Sequence, residues 1–234
     1  MIEFYKKHGL IVYWILLLLD VWDNTSSKIE FQGEYGYYLK GLEFLSLILL
    51  LTLNFNKRTH TTSKWIIFSS LVTNVIGSYV LLGNFENSTF LGYSFYGVTY
   101  TLFFIFMYRL IRKENVSNKE PIILGIFLVI AGIILFVKSR VDFAGFTYFA
   151  YIYGLVLCAL LSISFKLLSV KNKRTTAINC FIPSSILLYA SGVILIVLRI
   201  SGDNSGINIL RLTEILCTGY GVALMANGAK KVLK

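Results

Sequence analysis

The sequence predicts an all-α fold, a polytopic membrane helical bundle of about eight transmembrane helices, in one domain covering residues 1–234, with both termini cytoplasmic. Three observations predict it. The composition is 56% apolar and only 15% charged, with mean hydropathy +0.70, whereas ordinary soluble domains carry about 25% charged residues. Apolar runs long enough to cross a bilayer recur along the whole chain. Finally, basic residues gather at Lys6/Lys7, Lys57/Arg58/Lys64, Arg109/Arg112/Lys113/Lys119, Lys166/Lys171/Lys173/Arg174 and Lys230/Lys231/Lys234, with two apolar runs between successive clusters. A chain that leaves and returns between clusters keeps all of them on one side, as the retention of Lys and Arg in cytoplasmic loops requires.

Segment one, about Leu10 to Trp22, follows Lys6 and Lys7 like the start of a signal peptide, but Asp20, Trp22 and Asp23 stand where a small-residue cleavage site would be. It reads as an uncleaved signal anchor, slightly short for the roughly 20 residues of a span. The polar stretch Asp23 to Tyr38 is an external loop. Segments two (about Leu39–Phe55) and three (about Trp65–Leu82) flank the basic loop NKRTHTTSK, and the turn GNFENST, free of Lys and Arg, leads into segment four (about Phe90–Leu110). Segment five runs from Pro121, suited to a first helical turn, to about Val137. Segments six (about Phe146–Leu168), seven (about Thr176–Leu198) and eight (about Ile209–Ala229) complete the series. With this count, sixteen of the twenty-two basic residues are cytoplasmic and the outer side keeps Lys28, Lys40, Lys138, Arg140, Arg199 and Arg211. Segments three and four loosely resemble seven and eight, which leaves a duplicated four-helix unit as one reading.

A formal charge of +10 in a soluble chain would suggest nucleic acid. Here the basic residues are dispersed in short juxtamembrane loops, so no nucleic acid partner is expected, and membrane lipids are the partners. Cys158, Cys180 and Cys217 fall inside predicted helices without CxxC spacing, which favours buried packing. His8 and His60 are the two histidines, too few to build a metal or haem site, so no metal or other cofactor is expected. The Ile, Lys, Asn, Phe and Tyr content suits an AT-rich bacterial genome, and the expected location is the bacterial inner membrane, multi-pass.

Ionisable groups inside a bilayer are expensive and so point to function. Asp20 closes segment one, Lys40 and Glu43 open segment two one turn apart, and Arg211 and Glu214 repeat that spacing in segment eight. The bland account makes these interfacial ion pairs snorkelling to water. The functional account adds neutral polar residues at the same depth: Asn74 and Ser78 late in segment three, and Tyr93, Tyr96 and Tyr100 on one face of segment four. Tyr148, Tyr151 and Tyr153 follow early in segment six. With Ser184 and Ser185 of segment seven they would line an outer-half pocket, although an interfacial aromatic belt also collects Tyr. Pro183 inside segment seven, beside Asn179, Tyr189 and Ser191, is expected to kink the helix.

Lys40-Gly41-Leu42 opening segment two, Gly77-Ser78 before YVLL, Phe90-Leu91-Gly92 and Phe181-Ile182-Pro183-Ser184-Ser185 together resemble the YhhN family in order and spacing. That family includes eight-helix lysoplasmalogenases, which cleave the vinyl-ether bond of lysoplasmalogens. It tends to show Lys-Pro-Leu, Gly-Asp, a Phe-x-x-Gly-like entry and Phe-x-x-Ser-Asp at these places. Both family Asp positions read here as Ser78 and Ser185, and the family's helix-four His has no counterpart near Thr99 and Tyr100. Vinyl-ether hydrolysis needs an acid that protonates carbon before water attacks the oxocarbenium ion; a Ser hydroxyl is too weak an acid for this. The resemblance therefore implies a lipid-binding or structural member that lacks the usual acid-base pair, with a lysophospholipid as the ligand class. The alternative is an active lysophospholipid hydrolase in which Glu43 and Glu214 do the carboxylate work. A small-solute transporter or a sensor is a further alternative.

Overall fold

The computed structural model describes residues 2–26, 35–55, 60–83, 87–112, 114, 126, 130, 147–201 and 207–233, and among them no strand occurs. The long helices are α1 (Ile2–Ser26), α2 (Gly36–Asn54), α3 (Thr61–Leu82), α4 (Ser88–Ile111), α5 (Thr147–Lys166), α6 (Ile182–Ser201) and α7 (Ile207–Val232). Segment five lies outside the described residues apart from Ile126 and Ile130, both helical and exposed. Among the described residues, five stretches are long and apolar enough to cross a membrane: Gly36–Asn54, Thr61–Leu82, Phe90–Ile111, Tyr151–Ser169 and Arg174–Ile194.

The helix around segment one is longer than its apolar run: α1 has 25 residues, about 37 Å at 1.5 Å per residue, because it starts ahead of Lys6 and Lys7. The apolar run itself stays short, and α1 is not among the stretches long and apolar enough to cross a membrane. The entry to segment seven also differs from a simple proline kink. A short 3-10 turn, Leu167–Ser169, ends α5, and a single α turn at Arg174–Thr176 runs into a π-helical stretch, Ala177–Phe181, before α6. Pro183 is the second residue of α6; it has no N–H to return to the turn before it, and the wider π turn accommodates that missing bond.

The chain divides into two compact units, residues 1–103 with 222–234, and residues 104–221. In the first unit α1 and α2 pack antiparallel. Their outer faces carry Ile11, Ile15, Leu18 and Trp22, and Tyr38, Leu42, Leu45 and Leu49, all exposed, while Tyr13, Leu17, Leu47 and Leu50 are buried. An apolar face outward and polar groups inward is the pattern of helices surrounded by lipid. At the other end of the unit the Lys6 carbonyl accepts from Lys230 Nζ at 2.7 Å and from Asn54 Nδ2 at 3.4 Å. The start of α1, the end of α2 and the end of α7 therefore meet, bringing two of the basic clusters together.

α3 begins after His60, whose φ of 56° is left-handed, and α4 begins after Asn87, whose φ is 63°. Asn tolerates this backbone better than most residues, which suits the turn foreseen at GNFENST. α3 and α4 then approach closely: a Cβ on Gly77 would lie 3.0 Å from the Gly92 carbonyl oxygen, and one on Gly92 would collide with Leu81. Glycines at such a crossing let backbones come together in a membrane, where dispersion replaces the hydrophobic effect as the packing force.

In the second unit Phe106 and Phe181 meet edge to face, with ring centroids 6.0 Å apart, and Leu160, Leu167 and Leu188 are fully buried. Lys173 Nζ donates to the Leu110 carbonyl at 2.6 Å, placing a cation on the carbonyl end of α4. α6 and α7 cross at Gly221, where a Cβ would lie 2.7 Å from the Leu188 side chain. Cys158 and Cys180 are buried packing residues and Cys217 is half-buried.

Candidate functional site

α1 and α2 run antiparallel, so the end of the first helix faces the start of the second. Asp23 Oδ2 accepts from the Tyr35 N–H at 3.2 Å between them. One turn deeper, Lys40 Nζ lies 2.7 Å from Asp20 Oδ2 and 3.4 Å from Glu43 Oε2. These groups do not reach water as interfacial pairs would: the side chains of Asp20, Glu43 and Lys40 are 1%, 8% and 19% exposed. The expected Lys40–Glu43 pair is present, but its charged ends are buried instead of snorkelling to water, and Asp20 joins them in a cluster of three charges. Reading α2 alone pairs Lys40 with Glu43 by spacing, but the shorter contact is to Asp20, twenty positions earlier. The signal that finds it is the hairpin, which brings the last turn of one span to the first turn of the next.

Two acids face one base, so the fully ionised cluster carries one net negative charge. Glu43 directs Oε2 to Lys40, while its Oε1 is buried and has no hydrogen-bond partner among the described residues. Tyr13 and Tyr96, 3% and 8% exposed, lie within electrostatic range of the cluster. Ring contacts run along α4 from Tyr93 to Tyr96 and from Tyr96 to Tyr100, the second pair stacked at 15° with centroids 6.4 Å apart. The shared face expected from their spacing is therefore real, and it turns toward protein: Tyr96 and Tyr100 are buried and Tyr93 is half-buried.

Ser78 extends this group. Its Oγ is 2.9 Å from Tyr96 Oη and donates to the Asn74 carbonyl at 3.2 Å. A hydroxyl has one proton to give, so the consistent chain runs from the Tyr96 O–H to Ser78 Oγ and on to the carbonyl. Asn74 itself is half-buried and its Nδ2 has no hydrogen-bond partner among the described residues. The close crossing at Gly77 and Gly92 brings Ser78 onto Tyr96, which gives two of the short sequence motifs a packing reason. At the start of α2, Tyr79 Oη donates to the Tyr37 carbonyl at 2.8 Å and Tyr37 Oη donates to the Leu82 carbonyl at 2.7 Å. Gly41 admits this clamp, because a Cβ there would lie 2.5 Å from Tyr79 Oη.

The second unit holds the remaining candidates. Ser184 Oγ donates to the Gly221 carbonyl at 2.6 Å, and this bond fastens α6 to α7. Ser185 is buried and its Oγ has no hydrogen-bond partner among the described residues. Glu214 Oε1 accepts from Thr218 Oγ1 at 2.9 Å and from Ser191 Oγ at 3.2 Å. Its partners include hydroxyls that the i,i+3 pairing with Arg211 did not foresee; the Arg211 side chain lies outside the described residues, as does that of Tyr148. Asn179 is exposed, Tyr151 is half-buried, and Tyr189 is half-buried. Glu43 and Glu214 belong to different units.

Residues 36–214 match the family model described as the YhhN family. No curated protein and no solved structure matches the chain. The matched region starts at α2, so Lys40, Glu43, Ser78, Tyr96, Ser184 and Ser185 fall inside it and Asp20 lies on the helix before it.

Proposed function

The chain belongs to the YhhN family, and on that premise we propose that it is a multi-pass protein of the bacterial cell membrane that binds a lipid of the lysophospholipid class without hydrolysing it. Eight spans with both termini cytoplasmic are part of the proposal. The observation that carries it is the buried polar group of unit one, Asp20, Lys40, Glu43 and the Tyr96–Ser78 bond, set among helices whose outward faces are apolar. Such groups are costly within a membrane and are kept where they meet a ligand or one another. At the two positions where the family resemblance implies carboxyls, this chain has a hydroxyl engaged by Tyr96 and Asn74, Ser78, and a buried hydroxyl, Ser185. Neither can protonate an enol-ether carbon. Mass spectrometry of lipid that co-purifies with the protein tests the proposal. A retained lysophospholipid supports it, and consistently lipid-free protein refutes it.

One observation favours an enzymatic reading as the second choice. Asp20 and Glu43 both reach Lys40, a two-carboxyl arrangement in one unit that does not call on Glu214. In that reading one carboxyl would protonate the vinyl-ether carbon and the other would draw a proton from the attacking water; the resulting hemiacetal would then break its bond to the glycerol oxygen, which takes up a proton and leaves as the alcohol while the aldehyde is released. Aldehyde release from lysoplasmalogen decides between the two: a rate far above background that disappears in Glu43→Gln replaces the binding reading with the hydrolase.

A further inference from the structure

We propose that the Asp20–Lys40–Glu43 cluster seats a primary ammonium group, so that the bound amphiphile is held by an amine headgroup and not by its phosphate. The inference rests on the lipid-binding reading above and specifies the chemistry of recognition. A buried lysine beside a lipid would ordinarily be assigned to phosphate. Here Lys40 is already engaged by two carboxyls, at 2.7 Å and 3.4 Å. An anion brought to it would meet Asp20 and Glu43, and like charges at close range in a buried site are strongly disfavoured.

The cluster is instead complementary to a cation. Fully ionised it has one negative charge in excess, and Glu43 Oε1, on a residue 6% exposed, has no donor among the described residues. A buried carboxylate oxygen without a donor is expensive, and a ligand N–H satisfies it with a charge-assisted bond. A primary ammonium offers such hydrogens and a quaternary one does not. Asp20 acts as a positioning residue: by holding Lys40 it leaves one Glu43 oxygen open. α1, which precedes the family match, is thus part of the site.

The test measures binding to the purified full-length protein in detergent, by thermal shift and by native mass spectrometry. The probes are lysophosphatidylethanolamine, lysophosphatidylcholine and lysophosphatidylglycerol of one acyl chain, with free ethanolamine as a soluble source of the same ammonium. The expected result is that lysophosphatidylethanolamine binds about tenfold or more tighter than the other two lipids, the size of a charge-assisted hydrogen bond. In Glu43→Gln that preference disappears while chain-dependent binding remains. Equal binding of the three lipids overturns the ammonium site and leaves the lipid reading standing, and this comparison needs no variant. Binding of none of the lipids refutes the lipid reading itself. Saturable binding of free ethanolamine, lost in Glu43→Gln, together with no lipid binding supports the ammonium site and moves its source to a soluble amine.

Discussion

Replacing Lys40 by Met should be the most damaging change in the polar cluster. The substitution keeps most of the aliphatic stem and removes the cation that lies 2.7 Å from Asp20 Oδ2 and 3.4 Å from Glu43 Oε2. Both carboxyls are more than nine-tenths buried, so water is not at hand to replace it. Breaking a buried pair by removing one partner costs about 3–5 kcal/mol. The geometry also ranks the other two members. Asp20→Asn leaves Lys40 with Glu43 and removes the excess negative charge, so about 1–3 kcal/mol is expected from the lost short bond. Glu43→Gln gives up the longer contact and also relieves the charge, and should fall within about 1 kcal/mol. Reversible unfolding in mixed micelles, followed by the fluorescence of Trp14 and Trp22 on α1 and Trp65 on α3, measures all three, and the Asp20→Asn, Lys40→Met double variant gives the coupling. A loss below about 1 kcal/mol for Lys40→Met is what a solvated surface pair shows and would refute the buried arrangement. So would Glu43→Gln proving the costlier of the two carboxyl changes.

Gly77→Val places a side chain against the Gly92 carbonyl oxygen, 3.0 Å from the position of its Cβ, and should destabilise the α3–α4 crossing by about 1–3 kcal/mol in the same unfolding assay. Lys173→Met removes the cation 2.6 Å from the Leu110 carbonyl and should cost about 0.5–1 kcal/mol, with faster amide exchange at the end of α4 as the local readout. A topology reporter fused after Lys234 should give a cytoplasmic signal; an external signal contradicts the eight-span proposal. Ser78→Asp puts a carboxyl on Tyr96 Oη, 2.9 Å from the present hydroxyl, at one of the two positions where the proposed function takes an acid to be missing, so aldehyde release from lysoplasmalogen should stay at background unless Ser185→Asp is added.

Most of the helical frame is legible in the chain because bilayer solvation is one-dimensional. A span must be apolar along its whole length and its basic flanks must stay on one side, and both requirements are written locally. Segments two, three, four and eight match α2, α3, α4 and α7 to within a few residues. The exceptions have local causes: α1 includes the lysines ahead of its apolar run, and Pro183 is absorbed by a π turn that no periodicity announces.

The ring face of Tyr93, Tyr96 and Tyr100 could likewise be read from spacing, since i, i+3 and i+7 stack on any helix. Partnership across helices could not. Whether Lys40 answers to Glu43 or to Asp20 depends on how α1 and α2 rotate and slide against each other, and no local pattern encodes that register. The same holds for Ser78 with Tyr96, which depends on two glycines fifteen residues apart letting α3 and α4 touch, and for Glu214 with Ser191 and Thr218. Composition and basic clusters point to a membrane chain, and the family match and its apolar helices agree. Packing alone decides which of those residues meet, because a buried charge is satisfied by whichever side chain the crossing geometry brings within about 3 Å.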